Sequence, residues 1–180
     1  MILQESQAVN VVVRGLMFKE DRLLVTQWRN NGVSFGIGGR VDFGESVVDA
    51  IHREVREETG AEITINKLLY FSEQTFVSDR GVHYHELGWY FWVEPDREIC
   101  GLDEVIQNPD HRDLIIRYLK IDDLAGSDFW PKFLPQYLPA DFKQGFSQNP
   151  RHLHSRDNGT EAKITREVAG LYTPSTIGGV

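Results

Sequence analysis

The sequence predicts an α+β fold in which β-strands surround one strongly marked helix. Two observations lead to this prediction: apolar, β-branched and aromatic runs are separated by turn residues, and one segment, residues 47–59, has clear helical periodicity. At 180 residues, of which 41% are hydrophobic, the chain is long enough for one well-filled core. One globular domain, shaped as an α+β sandwich, is therefore expected.

The first strands are predicted ahead of the helix. A valine-rich run, residues 8–18, is followed by a turn-like segment, residues 19–22, and by a second apolar run, residues 23–28. This pattern is typical of a β-hairpin. Residues 29–39 contain Asn-Asn-Gly and three further glycines, so they predict a loop with at most one short strand, able to bring bare backbone close to a ligand.

The remaining strands are predicted after the helix. Residues 63–77 and 82–94 form two β-rich runs joined by Ser-Asp-Arg-Gly, a second hairpin, and residues 112–121 predict another strand. Pro131 favours the start of a short helix over residues 130–138, although Pro135 limits its regularity.

The C-terminal part of the chain carries a weaker pattern. From residue 140 onward no clear periodicity remains, and residues 157–180 are polar and glycine-rich enough to predict a loosely held tail. We therefore expect one folded domain over residues 1–140 and a C-terminal extension, partly loosely ordered, over residues 141–180.

Charge and cysteine content narrow the functional classes. The net charge of −8 argues against a protein that grips a nucleic-acid backbone, and favours cations and small molecules as partners. Cys100 is the single cysteine, so neither an intrachain disulfide nor a cysteine-based zinc site is expected. The first residues do not form a signal sequence, and no run of about 18 apolar residues occurs. A soluble, cytoplasmic protein without a membrane partner is expected.

The predicted helix has an unusual inward face. Ser46 is a suitable N-cap and Gly60 a suitable C-terminal glycine. At about 100° per residue, Glu54 and Glu58 fall on the apolar face of the helix. A desolvated, unpaired carboxylate there would cost several kcal/mol. A cation should therefore lie opposite, or the helix end should open into a wet cleft.

Metal binding explains these glutamates better than a solvated charge run does. Glu54, Glu57 and Glu58 place three hard oxygen donors on adjacent turns, which suits Mg²⁺ or Mn²⁺ completed by water and phosphate oxygens. The alternative, an exposed i,i+4 pair of Arg53 with Glu57, accounts for those two residues alone.

Residues 39–60 resemble the signature of the Nudix hydrolases. The match consists of Gly39, Glu45 and the run Arg53-Glu54-Val55-Arg56-Glu57-Glu58-Thr59-Gly60, with Ala61 in place of a larger aliphatic residue. Outside this motif the resemblance is looser, and it covers roughly residues 8–139. It implies an α/β/α sandwich with a mixed β-sheet and a loop-helix catalytic motif.

The resemblance also implies roles for the motif residues. Glu54 and Glu58 would be the principal ligands of Mg²⁺ or Mn²⁺, Glu57 would bind a further ion or share one, and the carbonyl of Gly39 would complete the coordination. Arg53 would hold these carboxylates in place. Glu45 would steady the junction between loop and helix.

The general base and the substrate contacts are less closely defined by the sequence. Glu54 is one candidate base. A later acidic loop offers four others, Asp103, Glu104, Asp110 and Asp113, although such a loop could instead simply be solvated. Arg40, immediately after Gly39, is placed to meet a phosphate, or else simply faces solvent. Phe35 and Tyr84 could stack on a nucleobase, or belong to the core as strand aromatics usually do.

The expected reaction is Mg²⁺-dependent hydrolysis of the diphosphate in a small-molecule nucleotide, with a nucleotide sugar such as ADP-ribose or a GDP-sugar favoured. Hydrolysis of normal or oxidised nucleoside triphosphates is the first alternative. A non-catalytic nucleotide-binding module would be expected to lack the carboxylates, and a prenyl diphosphate isomerase to show a supported catalytic cysteine. A homodimer remains open.

Overall fold

The computed structural model describes residues 6–78, 80–157 and 162–169. It contains two α-helices, α1 (Val47–Thr59) and α2 (Phe133–Lys143), and a short 3-10 helix (Ile121–Gly126). The ten strands among these residues are β1 (Gln7–Leu16), β2 (Phe18–Lys19), β3 (Arg22–Trp28), β4 (Ser34–Gly36), β5 (Ile63–Val77), β6 (His83–Pro95), β7 (Val105–Gln107), β8 (Leu114–Lys120), β9 (Arg151–Asp157) and β10 (Ala162–Ala169). Neither α-helix in this part of the chain is long and apolar enough to cross a membrane.

The strands form two sheets. The first has the order β1-β6-β5-β9-β10 and is mixed, because β1 runs parallel to β6 and β9 runs parallel to β5 while the other neighbours are antiparallel. The second has the order β2-β3-β8-β7, all antiparallel, with β4 added to β3.

Each α-helix covers its own hydrophobic core. Because side chains alternate along a strand, neighbouring residues of β3 and β6 enter opposite cores. Leu24 and Phe91 pack in the core that contains α1, whereas Leu23 and Tyr90 pack in the core that contains α2. The predicted α+β fold, with a mixed sheet between helical layers, is confirmed.

The predicted N-terminal hairpin is wrong in its first strand. Residues 7–16 pair in parallel with β6 in the first sheet, and only Phe18–Lys19 pairs antiparallel with β3. Val12, Val13 and Leu16 are all buried, so β1 contributes to both cores. The apolar run therefore crosses from one sheet to the other at Met17, whose carbonyl accepts a hydrogen bond from the backbone N–H of Leu24.

The later strands agree with the prediction. β5 and β6 form the expected hairpin, closed by a hydrogen bond from the Ser78 N–H to the Val82 carbonyl; Asp79 of this turn lies outside the described residues. Residues 34–36 are the one short strand of the loop, and β8 lies within the segment 112–121.

The region after residue 130 is more regular than predicted. The helix begins at Phe133 and continues to Lys143, with Pro135 in its first turn, where a backbone N–H has no partner within the helix. β9 and β10 extend the first sheet, which corrects the expectation of a weak pattern throughout this region. Of the tail expected over residues 157–180, residues 158–161 and 170–180 lie outside the described residues.

Candidate active site

The last two turns of α1 present the three glutamates at different depths. The helix begins after Ser46, whose hydroxyl accepts a hydrogen bond from the Asp49 N–H, and ends at Gly60 in the left-handed conformation, as the sequence predicts. Glu58 is buried, with 7% of its surface exposed. The side chain of Glu54 is 15% exposed and that of Glu57 is 46% exposed. The inward placement of Glu54 and Glu58 is confirmed.

Glu58 joins α1 to three other segments. Its Oε2 accepts hydrogen bonds from the Thr26 hydroxyl at 2.6 Å and from Asn108 Nδ2 at 3.0 Å. Its Oε1 accepts one from the Gly38 N–H at 2.9 Å. One carboxylate thus holds together three segments: β3, the loop that contains Gly38 and Gly39 (the glycine loop), and the loop between β7 and β8.

Arg53 organises the exposed side of the same helix. Its guanidinium contacts both oxygens of Glu45 at 2.9 Å and also donates to Glu54 at 2.9 Å and to Glu57 at 3.2 Å. A further hydrogen bond reaches the carbonyl of Arg40 at 2.9 Å. The i,i+4 contact with Glu57 is therefore one part of a network that fixes the loop against the helix.

The glycine loop approaches this network closely. A Cβ atom on residue 39 would lie 2.5 Å from both carboxylate oxygens of Glu54. Only glycine therefore allows the Glu54 carboxylate to lie this close to the backbone. Gly38 has φ 132° and would meet the Val13 carbonyl if it carried a side chain. The Gly39 carbonyl accepts a hydrogen bond from the Val13 N–H at 2.9 Å, which leaves one of its two lone pairs free.

Arg14 was missed by the sequence analysis. It lies on β1, and its guanidinium donates to the carbonyl of Gly36 at 3.3 Å and to that of Gly38. It also lies over the ring of Phe35, 5.6 Å from the centroid. No motif marked this residue, because its partners are backbone carbonyls that only the folded loop presents.

Burial dominates the electrostatics of the inner glutamates. Desolvation raises the pKa of Glu58, against the hydrogen bonds from Thr26 and Gly38, and raises the pKa of Glu54, against the contact with Arg53. Glu45, whose side chain is 16% exposed, differs, because the hydrogen bonds that it accepts from Arg53 lower its pKa. The carboxylates that are costly to keep charged are therefore those beside Gly39.

The site fits a hard divalent cation by its donor chemistry. Carboxylate and carbonyl oxygens are the ligands that Mg²⁺ and Mn²⁺ prefer, and the absent side chain of residue 39 lets the Glu54 carboxylate lie against the Gly39 backbone. In the described residues no three His, Cys, Asp or Glu side chains are already grouped around one metal position. Glu57 turns toward Arg53 and Glu58 is held by its three donors.

A cleft of about 530 Å³ adjoins the glycine loop. Aromatic side chains form much of its wall, and Arg14 and Glu86 contribute charges to it. This volume is in the range of small-molecule sites, which are mostly apolar with a few placed polar groups. The aromatic residues of the cleft are Trp28, Phe35, Phe76, Tyr90 and Trp130.

The three predicted substrate contacts lie in different places. Phe35 lines this cleft. Arg40 is exposed beside a separate groove of about 550 Å³. Tyr84 stacks on Phe76 with 5.2 Å between ring centroids and lines a third groove, at the ends of β1, β5 and β6.

The acidic loop residues do not contact the glutamates of α1 in the described part of the chain. Glu104 accepts a local hydrogen bond from the Gly101 N–H, and Asp103 pairs with Arg22 at 2.8 Å. Asp110 and Asp113 are exposed. Asn108 is the residue of this region that reaches the site, where it donates to Glu58. Because its side chain is an amide, it was not among the carboxylates predicted as bases.

Comparison with known proteins gives one family and several similar folds. A NUDIX domain model matches residues 7–139. A MutT protein from Bacillus halodurans has 17% sequence identity and a TM-score of 0.56, over 91% of this chain and 99% of that chain. A NUDIX hydrolase from Nitrosomonas europaea has 21% identity and a TM-score of 0.50, over 77% and 90% of the two chains.

A UDP-X diphosphatase is similar to the same degree, with 18% identity and a TM-score of 0.51, over 77% of this chain and 64% of that chain. At these identities the likenesses show the fold alone. Among curated proteins, no sequence matches this chain significantly.

Proposed function

The chain belongs to the NUDIX domain family and is a Nudix hydrolase, and from this premise we propose that it cleaves the diphosphate of a nucleoside diphosphate joined to a second group. The observation that carries the proposal is the set of three glutamates on the last two turns of α1, of which Glu54 lies against a residue 39 that has no side chain. A binding module that had lost catalysis would not need to keep two partly desolvated carboxylates at this cost.

The proposed metal ligands are Glu54, Glu57, Glu58 and the Gly39 carbonyl, with Mg²⁺ or Mn²⁺ as the ion. When bound, the ion supplies positive charge that stabilises the diphosphate oxygens as the bond breaks. Arg53 keeps the glutamates oriented, because it contacts both Glu54 and Glu57 while Glu45 holds it from the other side.

We assign the general base to Glu54 in preference to the acidic loop. Its side chain is 15% exposed and its carboxylate lies against Gly39, whereas Glu104, Asp110 and Asp113 make no contact with the α1 glutamates in the described residues. A base must lie within hydrogen-bonding reach of the water that it deprotonates. Among the described residues, Arg53 donates to Glu54 Oε1 and no hydrogen bond reaches Oε2, which suits Oε2 to that role.

A two-phosphate substrate with groups on both sides is favoured over a triphosphate. The aromatic cleft beside the glycine loop can hold one moiety, and the groove beside Arg40 is open to the other. No run of basic residues is present to bind a longer phosphate chain. Nucleoside triphosphates, normal or oxidised, are the second candidates, because the α1 glutamates alone would serve either reaction.

A substrate panel tests this proposal. Phosphate release would be measured with a coupled phosphatase, with and without Mg²⁺, on ADP-ribose, GDP-mannose, NADH, diadenosine polyphosphates and nucleoside triphosphates. We expect Mg²⁺-dependent turnover, with the highest kcat/KM for a diphosphate-linked sugar. A triphosphate preferred by tenfold or more would contradict the substrate assignment, and turnover of no compound would favour a binding module.

A further inference from the structure

Glu86 is a carboxylate that the hydrolytic machinery does not use. It lies on β6 on the wall of the 530 Å³ cleft and is partly buried. Its side chain accepts one long hydrogen bond, from Asn10 Nδ2 at 3.5 Å, and in the described part of the chain it forms no ion pair within 4 Å. Glu86 is thus a charged acceptor with little to satisfy it.

The nearby cation does not relieve this shortage. Arg14 lines the same cleft, but its guanidinium is committed to the carbonyls of Gly36 and Gly38. Burial accordingly raises the pKa of Glu86, although the charge of Arg14 acts in the opposite direction. A buried carboxylate in this situation is stabilised by any ligand that brings N–H or O–H donors to it.

The second carboxylate of the cleft is already neutralised. Asp128 forms an ion pair with Lys132 at 2.5 Å, and the ammonium of Lys132 lies 5.0 Å from the ring centroid of Trp130. Among the described residues, Glu86 is therefore the carboxylate of the cleft that has no paired cation and can accept donors from a ligand.

The walls around Glu86 suit a flat ring. Phe35, Phe76 and Trp130 line the cleft together with Trp28. Aromatic faces favour stacked or edge contacts with a planar π-system. The cleft also adjoins the glycine loop, because Arg14, which lines the cleft, donates a hydrogen bond to the carbonyl of Gly38, the neighbour of Gly39. A nucleobase held there would keep its diphosphate near α1.

We propose that Glu86 selects guanine as the base of the substrate. Guanine is the common base whose pairing edge carries two adjacent donors, N1–H and N2–H, and these match the two oxygens of a carboxylate. Adenine and cytosine each place a ring-nitrogen acceptor beside their amino group, and uracil places carbonyls on both sides of its N–H, so each would set an acceptor against Glu86. The inference rests on the proposed function, since it takes the ligand to be a nucleotide.

The test holds the sugar constant and changes the base. The kcat/KM of the wild-type protein would be measured for GDP-, ADP-, UDP- and CDP-glucose, and the binding of GMP and AMP, which have no diphosphate to cleave, by calorimetry. We expect GDP-glucose to be preferred by tenfold or more, the size of one bidentate contact, and GMP to bind correspondingly tighter than AMP.

The matched variants are Glu86→Gln, Glu86→Asp and Glu94→Gln. Glu86→Gln should reduce the preference for GDP-glucose to about threefold or less, because its amide group presents a donor where guanine needs an acceptor. Glu86→Asp keeps the charge and should retain part of the preference. Glu94 is exposed on the same strand outside the cleft, so its variant should behave as wild type. Thermal melting would show that each variant is folded.

The outcomes separate the two proposals. Turnover without a base preference, or a preference that survives in folded Glu86→Gln, would overturn the role of Glu86. So would an equal loss on all four glucose nucleotides, which would place the sugar against Glu86. If no nucleotide sugar is cleaved but GMP binds selectively and Glu86→Gln abolishes the selectivity, the proposed reaction fails and guanine recognition stands.

Discussion

Among single residues, Glu58 has the most demanding environment of the site. It is buried, and its carboxylate accepts hydrogen bonds from Thr26, Asn108 and Gly38. Glu58→Gln keeps the shape and removes the anionic oxygen proposed to bind the metal. We expect kcat/KM to fall by about 100-fold or more in a protein that still folds. Full activity of the folded variant in Mg²⁺ would remove Glu58 from the machinery.

The same residue predicts how the stability of the metal-free protein changes with pH. Burial raises the pKa of Glu58 in the folded state above its ordinary value of 4.5, so the folded protein holds that proton more tightly than the unfolded chain. This contribution is complete below pH 4.5 and is lost as the pH rises through the folded-state pKa. Glu54 and Glu86 act with the same sign, while Glu45, whose pKa is lowered, acts only below about pH 4.5.

We therefore expect the free energy of unfolding to decrease as the pH rises above 4.5 when metal is removed with a chelator. Glu58→Gln should make this decrease smaller, because it removes the titrating group. Urea denaturation at several pH values would measure both curves. Equal pH dependence in the two proteins would show that Glu58 is not the source.

Among the elements, α2 and β9 are joined by a buried ion pair. Asp141 is 2% exposed and binds Arg151 through two contacts, at 2.7 and 2.8 Å, while the Tyr70 hydroxyl donates to it at 2.9 Å. Arg151→Met would leave this carboxylate buried without its cation. We expect the free energy of unfolding to fall by about 3–5 kcal/mol, measured by urea denaturation.

A matched control lies on the same helix. Lys143 pairs with Asp122 at 2.7 Å, but both side chains are about two-thirds exposed, so Lys143→Met should change stability by less than about 1 kcal/mol. If the Arg151 and Lys143 variants lose similar amounts, the buried pair does not hold α2 to β9.

The contrast between α1 and β9 shows what the sequence alone could predict. For α1, the cap residues, the helical period and the spacing of its glutamates are local, and the helix has the predicted bounds, Val47–Thr59. Over residues 151–156, where burial is described, β9 buries Leu153 and Ser155 alone, between charged and imidazole side chains, and this pattern is too weak to identify a strand. Its pairing depends on β5, which lies about 80 residues earlier in the chain. The contacts of Arg14, Glu86 and Asn108 likewise join residues that are distant in the sequence, so the sequence alone did not identify them.

At the scale of the whole molecule, the proposed cation site and the negative net charge lead us to expect that stability depends on divalent cations. The chain carries a net charge of −8, and Glu54, Glu57 and Glu58 lie on the last two turns of one helix. An ion that binds only the folded state stabilises it in proportion to the logarithm of its concentration, by about 2.7 kcal/mol at one hundred times Kd. For a protein of this size, that corresponds to a rise in Tm of about 5–10 °C.

We expect Mg²⁺ to raise the Tm in this manner and KCl of equal ionic strength to raise it much less, because screening acts weakly on partly buried charges. Glu54→Gln should lose most of the rise. Glu62→Gln is the control: this exposed residue pairs with Arg56 just after α1 and lies outside the proposed ligand set, so its variant should respond to Mg²⁺ as wild type does. Differential scanning calorimetry over a Mg²⁺ series measures each response. A KCl effect as large as that of Mg²⁺, or a Glu54→Gln protein that keeps the full rise, would show that general screening, rather than a site on α1, links cations to the fold.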